Sequence, residues 1–173
     1  MKALGWVRAP LKGGDLFTLD LGDRFLVAFP QLMTLPDKRL VDTGGGVGLP
    51  ELSRVAAAIG GRTFLYSAIH DFPLDERRFS TATEPWPALL ERATAQLTAR
   101  APAVDLTAAL ETAAEPERAR FPTFTIHLAA LVLLGRRDQL DAYAKALRAG
   151  PSDALHPLIT SDTIRTATGL LAA

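Results

Sequence analysis

Apolar residues in the second half of the chain recur with the period of an α-helix. Residues 123–134 are apolar almost without interruption, which predicts a helix buried on most sides. Gly135 follows, and glycine ends helices readily because it adopts a left-handed conformation without steric cost. Asp138 is then placed to cap a second helix, whose single apolar face is formed by Leu140, Tyr143, Ala144 and Leu147. The pattern predicts a helical hairpin between residues 122 and 150.

The same period predicts four further helices. One follows Pro50, which suits a first helical turn, and its apolar stripe is Leu49, Leu52, Val55, Ala56 and Ile59. A second begins near Trp86, with an apolar stripe of Trp86, Leu89, Leu90, Ala93 and Leu97. Two shorter helices are predicted over residues 104–114 and from about 161 to 171.

The first third of the chain has the pattern of β-strands. Residues 16–21 and 24–29 flank the dipeptide Gly22-Asp23, which predicts a β-hairpin. Residues 6–8 and 39–42 are expected to add two short strands. Residues 63–69 are rich in aromatic and β-branched side chains and predict a strand that returns to the sheet. We therefore expect an antiparallel meander.

This order of elements predicts an α+β fold. An N-terminal antiparallel β-meander with one packed helix precedes a C-terminal helical lobe built around the helical hairpin. Since no low-complexity linker interrupts the chain, we expect residues 1–173 to form one domain, β-rich over about 1–70 and helical over about 84–173. If the chain formed two domains, the candidate boundary would lie near residue 80, where the helical part begins.

Charge and composition narrow the classes of function. The 19 basic residues equal the 19 acidic ones, whereas a nucleic-acid binder usually has a basic surplus. The absence of cysteine excludes a thiol nucleophile and a thiolate zinc site. The longest apolar segment is shorter than the roughly 20 residues that span a bilayer. We expect a soluble cytoplasmic protein that contacts neither nucleic acid nor membrane.

Motifs for catalysis or cofactor binding are weak. The glycine-rich segment 43–48 precedes a helix and could offer N–H groups to an anion, but it lacks the lysine and hydroxyl residue of a P-loop. In the alternative interpretation, this segment is a flexible connection between a strand and a helix. His70 and Asp71 could form an acid–base pair, although neighbouring strand residues point to opposite faces. His127 lies in the most apolar helix and is expected to be a neutral core histidine. We predict no catalytic residue, no metal ligand and no cofactor.

The segment from His70 to Thr83 is predicted to be a long irregular loop, and such loops are often functional. Aromatic residues beside arginines are typical of protein–protein hot spots. The candidate partner-binding residues are therefore Phe72, Arg77, Arg78, Phe79 and Trp86. In the alternative interpretation, these aromatic residues attach the loop to the core.

The succession of meander, helix, returning strand and helical lobe is similar to that of small bacterial immunity proteins, which bind secreted toxins. The resemblance and the weak catalytic motifs favour a partner-binding protein without catalytic activity, an immunity or adaptor protein that blocks a toxin or effector. One alternative is a small ligand-binding domain or enzyme that uses the loop at Gly44–Gly48 with His70. Another is a dimeric protein resembling secretion chaperones. Monomer and homodimer both remain open.

Overall fold

The computed structural model describes residues 1–11, 14–34, 39–42, 44–61, 68–73, 78–80, 86–121, 123–150 and 153–171. The fold is α+β, as predicted. Its contacts divide the chain into two compact units, each built from two separate stretches of sequence. Unit 1 comprises residues 1–49 and 68–105, and unit 2 comprises residues 50–67 and 106–173. The single domain predicted from the sequence stays a prediction.

Unit 1 contains two antiparallel sheets. A five-stranded sheet has the order β1-β2-β3-β6-β7, with strands Val7–Leu11, Gly14–Asp20, Phe25–Ala28, Gly46–Gly48 and Ala68–Asp71. A three-stranded sheet has the order β4-β5-β8, with strands Gln31–Thr34, Arg39–Asp42 and Arg78–Ser80. The predicted hairpin forms as β2 and β3, and the predicted strands near residues 6–8 and 39–42 form as β1 and β5. The returning strand is β7, and residues 62–67 before it lie outside the described part.

The core of unit 1 lies around β3 and helix α2, Trp86–Arg100. All four residues of β3 are buried, as expected for a central strand with an uninterrupted apolar sequence. Leu89 and Leu97 of α2 are also fully buried. Trp6, ahead of β1, is buried as well, and its indole Nε1–H donates to Thr94 Oγ1 of α2 at 3.0 Å. This bond satisfies the polar atom of a buried aromatic residue.

The glycine-rich segment is part of the five-stranded sheet. Gly46–Gly48 forms β6, which is buried and pairs with β3 on one side and with β7 on the other. The prediction of a flexible connection over these residues was therefore wrong. The pattern missed this strand because glycine has a low β-propensity. Gly46 is required here for steric reasons, because the carbonyl oxygen of His70 comes so close to it that a side chain would overlap that oxygen.

The predicted long loop contains regular structure. His70 and Asp71 belong to β7, and Arg78–Ser80 forms β8, which pairs with β5. The prediction of an irregular segment over residues 70–83 was wrong at these positions. The three residues of β8 are too few to show a strand pattern, and only their pairing with β5 makes them a strand. Residues 74–77 and 81–85 lie outside the described part.

Arg24, in the turn between β2 and β3, forms hydrogen bonds with the backbone that follows α2. The guanidinium of Arg24 donates to the carbonyl oxygens of Ala101 at 2.8 Å and of Val104 at 3.2 Å. It also forms an ion pair with Asp23 at 2.8 Å. The Arg24 side chain is 14% exposed, whereas that of Asp23 is 66% exposed. The carbonyl contacts therefore form in the less solvated part of this cluster.

We expect Arg24→Ala to lower the free energy of unfolding by about 1 to 2 kcal/mol, because it removes two charge-assisted hydrogen bonds. The carbonyl oxygen of Ala101 keeps the N–H of Val104 as a donor, whereas the carbonyl oxygen of Val104 loses the guanidinium. Urea unfolding followed by tryptophan fluorescence measures this, since Trp6 and Trp86 both lie in unit 1. Asp23→Ala is the control and should leave stability nearly unchanged, because exposed ion pairs contribute little. Equal losses in the two variants would contradict the role given to the carbonyl contacts.

Unit 2 is helical. Its α-helices are α1 (Pro50–Ile59), α3 (Leu106–Ala113), α4 (Phe124–Leu133), α5 (Arg137–Ala149) and α6 (Ser161–Leu170), with a 3-10 turn at Pro116–Arg120. These helices agree with the predicted ones. Helix α4 is buried nearly all round and packs against α1, α3, α5 and α6. Within unit 2, α1 packs against α4 and α6.

The α4–α5 hairpin has a tight connection. Gly135 adopts a left-handed conformation with φ of 67°, and its N–H donates to the carbonyl oxygen of Val132 at 3.1 Å. The N–H of Arg136 donates to the carbonyl oxygen of Leu131 at 2.9 Å, which completes a Schellman motif. Since this motif turns the chain quickly, α5 begins at Arg137, and Asp138 lies in its first turn. The prediction that Asp138 is the cap was wrong.

A chain of hydrogen bonds crosses the interior of unit 2 at His127. The Nδ1 of His127 lies 2.9 Å from the carbonyl oxygen of Ala113, and its Nε2 lies 3.0 Å from the Tyr143 hydroxyl. A carbonyl oxygen only accepts, so Nδ1 carries the proton and Nε2 accepts from Tyr143. Gln139 Nε2 in turn donates to the Tyr143 oxygen at 2.8 Å. The imidazole is 1% exposed, and its burial lowers the pKa of His127, as expected for a neutral core histidine.

Candidate functional site

Of the aromatic residues proposed for partner binding, Phe72 is the one whose side chain lies in the described part of the structure. Phe72 is 3% exposed, and its N–H donates to the carbonyl oxygen of Gly45 at 3.1 Å, which favours the packing interpretation for this residue. Arg77 lies outside the described residues. Arg78 and Phe79 belong to β8 and Trp86 begins α2, but the positions of their side chains lie outside the described part. A contact surface at these four residues stays a prediction.

The segment proposed for ligand binding is closed by pairing. The strand residues Gly46–Gly48 face neighbouring strands on both sides, so this part of the segment does not form an open anion-binding loop. His70 and Asp71 lie on β7, an edge strand of the five-stranded sheet, and both are exposed. In the described part of the chain, no three histidine or acidic side chains converge closely enough to hold a metal ion.

A groove with a volume of about 620 Å³ lies between α5 and α6 on the surface of unit 2. Helix α5 contributes residues spaced at i, i+7 and i+11, and α6 contributes residues spaced at i, i+3, i+4, i+7 and i+8. These spacings each follow one helical face. The lining residues are Arg137, Ala144, Arg148, Ser161, Ile164, Arg165, Thr168 and Gly169. We call this feature the α5–α6 groove.

The charged side chains that line the α5–α6 groove all have the same sign. Arg137, Arg148 and Arg165 line it, and none of the described lining residues is acidic. Arg165 forms an ion pair with Asp162, which lies one turn earlier on α6. Arg137 and Arg148 make no ion pair with any described residue, whereas the neighbouring Arg136 is held by both carboxylate oxygens of Glu111 at 2.8 and 2.9 Å. Within the described part of the chain, two of the three arginines therefore have no ion-pair partner.

Arg137 occupies a position that helix electrostatics disfavours. It is the first residue of α5, where the unpaired N–H groups give the helix end a partial positive charge. A cation there costs a few tenths of a kcal/mol or more, while an acidic residue would stabilise the helix. No intramolecular contact among the described residues compensates this cost.

The comparison with known families gives a clear assignment. The model of a family of unknown function, DUF6990, matches residues 1–172. The chain belongs to this family. The match covers both units and therefore includes the α5–α6 groove. No curated protein and no solved structure matches the chain.

This DUF6990 chain has a second concavity in unit 2, next to the segment that precedes α6. Its lining contains Arg120, Asp153 and His156, so charges of both signs face it. The His156 ring stacks on Phe124 with centroids 5.2 Å apart, which fixes the segment against α4. Phe121 and Leu158, near these residues in sequence, are 51% and 62% exposed. This concavity favours no single class of ligand.

Sequence reasoning missed the α5–α6 groove. The period of α5 identified its apolar face, and one residue of that face, Ala144, also lines the groove. The available signal was the spacing of Arg137, Ala144 and Arg148 along one line of the helix. That signal has no meaning until α6 packs beside α5 and supplies the other wall.

In the described part of the chain, no helix is long and apolar enough to cross a membrane.

Proposed function

We propose that this DUF6990 protein is a partner-binding protein without catalytic activity, and that it binds its protein partner through the α5–α6 groove. The α5–α6 groove carries the proposal, because Arg137 and Arg148, which have no ion-pair partner among the described residues, flank the small residues Ala144 and Gly169. Arginines around an apolar centre are typical of interface hot spots. The groove runs along two helices and has the form of surfaces that receive a peptide segment or a helix.

The proposed biological role is that of an immunity or adaptor protein in the cytoplasm of a bacterium. Binding would cover the active surface of a toxin or effector and so prevent its substrate from reaching it. The support is the similarity in the order of elements to small immunity proteins, together with the groove. The role requires a tight complex and no chemical step by the chain itself.

The first test uses the tagged full chain in lysate of the source organism. We expect one protein to co-purify in stoichiometric amount, to be toxic when expressed alone, and to be neutralised by co-expression of this chain. Size-exclusion chromatography with light scattering then gives the composition of the complex. Co-purification of a non-toxic protein would support an adaptor in place of an immunity protein. Recovery of no stoichiometric partner would contradict the proposed function.

We expect Gly169→Gln to weaken partner binding at least about tenfold, because the new side chain enters the space that the partner should occupy. No atom lies within 4 Å of a β-carbon built at Gly169, so α6 should tolerate the change. Isothermal titration calorimetry measures the affinity. Ala142→Gln on the exposed side of α5 is the matched control and should bind normally. Normal binding by Gly169→Gln would place the partner on another surface.

A further inference from the structure

We infer that the α5–α6 groove recognises an acidic amphipathic segment of its protein partner, with carboxylates placed to meet Arg137 and Arg148. This inference rests on the proposed function, since it specifies the chemistry of the partner that the groove receives. The argument uses the sign of the charges, the nature of the floor and the spacing of the two arginines.

The sign of the charges selects an anionic ligand. Three arginines line the groove, and the carboxylate of Asp162 faces Arg165 without being part of the lining. Glu111 is already engaged with Arg136. Arginine presents parallel N–H donors that match a carboxylate with two bonds, so Arg137 and Arg148 are each suited to one acidic side chain. A basic or neutral segment would leave both cations without a partner in a partly desolvated groove.

The floor of the groove selects a protein segment over a polyanion such as nucleic acid. Ala144 and Gly169 provide small, accessible surface between the arginines, whereas Ile164 beneath them is 3% exposed. A phosphodiester backbone would bring only charge and polar sugar to this surface, and the zero net charge of the chain would not favour it. Apolar side chains of a peptide would instead bury the floor.

The spacing of the arginines sets the spacing of the carboxylates. Arg137 and Arg148 are eleven residues apart on one helix, which corresponds to about 16 Å along its axis. A docked helix that runs along α5 meets both arginines when its acidic residues are also eleven positions apart. Between them, apolar residues at helical spacing would lie over Ala144 and Gly169. This arrangement fits the docking of an amphipathic helix in a groove.

The test uses a fluorescein-labelled synthetic helical peptide with glutamates eleven positions apart and leucines on the face between them. Fluorescence anisotropy with the full chain measures its affinity. We expect replacement of both glutamates by glutamine to weaken binding about tenfold or more. A peptide with the glutamates moved to the opposite face should bind as weakly as the glutamine peptide. Raising the salt concentration from about 0.05 to about 0.5 M should weaken binding of the glutamate peptide but not of the glutamine peptide, since screening acts on charge pairs.

Variants of the chain assign the effect to the groove. Arg137→Gln combined with Arg148→Gln should remove the preference for glutamate over glutamine. Lys145→Gln removes one positive charge from α5 away from the groove lining, the same change as each single arginine replacement, and should keep the preference. Circular dichroism confirms folding, and the loss of Arg137 should not destabilise α5 because a cation is disfavoured at that end. A double variant that keeps full preference for the acidic peptide would overturn the inference.

Other outcomes separate this inference from the proposed function. If the natural partner binds the double arginine variant with unchanged affinity and without salt dependence, the acidic recognition fails while partner binding stands. If the acidic peptide binds as expected but no natural protein partner exists, the proposed function fails while the specificity of the groove stands. Stronger competition by a single-stranded oligonucleotide than by the acidic peptide would overturn the choice of a protein segment.

Discussion

Gly46→Ala should lower the free energy of unfolding of unit 1 by about 3 kcal/mol or more, at the upper end of the range for overpacked positions. A β-carbon at Gly46 would lie 2.6 Å from the carbonyl oxygen of His70 and 2.8 Å from the β-carbon of Ala68. Both contacts are with β7, which pairs with β6 along the same residues. Because a backbone oxygen cannot rotate away as a side chain can, the two strands would have to separate.

The measurement for Gly46→Ala is urea unfolding followed by tryptophan fluorescence, which reports on unit 1. Gly169→Ala serves as the control for glycine replacement. No atom lies within 4 Å of a β-carbon there, and Gly169 lies within α6, so alanine should raise the helix content and stabilise unit 2 by about 0.5 to 1 kcal/mol. A Gly46→Ala variant with the stability of the unchanged chain would show that β6 and β7 are not packed as described.

Unit 2 should lose stability as the pH falls below about 6.5, the ordinary pKa of histidine. Burial lowers the pKa of His127 in the folded chain, and the hydrogen bond to Ala113 only partly opposes this effect. The unfolded chain therefore takes up a proton at a pH where the folded chain does not. Stability is complete above pH 6.5 and is lost between that pH and the lowered pKa of the folded state. The loss reaches at most about 1.4 kcal/mol at one pH unit below 6.5.

Urea unfolding at pH 7.5 and 5.5, followed by circular dichroism of the helices, measures the pH dependence of unit 2. His127→Leu should be less stable at both values, because Ala113 and Tyr143 lose a partner, but its stability should change less with pH. Tyr143→Phe keeps the imidazole and should retain the pH dependence while losing about 1 kcal/mol. A steep pH dependence that persists in His127→Leu would assign the effect to another group.

The agreement between the predicted and observed helices has a local cause. The Leu140 face of α5, the uniformly apolar α4 and the left-handed Gly135 are each defined by residues within a few turns of one another. Such patterns depend on the pitch of the helix, which is the same in every fold. The β2–β3 hairpin was predictable for the same reason, since its strands are joined by a short turn.

The sequence by itself determined the α+β class, the limits of most helices and the neutral core character of His127, because each follows from short-range pattern. Tertiary structure decided the rest. Gly46–Gly48 is a strand because β3 and β7 lie on either side of it, and Arg78–Ser80 is a strand because β5 pairs with it. Arg137 and Arg148 share a groove because α6 returns beside α5 after an intervening segment. The physical reason is that strand pairing and helix packing join residues far apart in sequence, and their partners are not encoded in local periodicity.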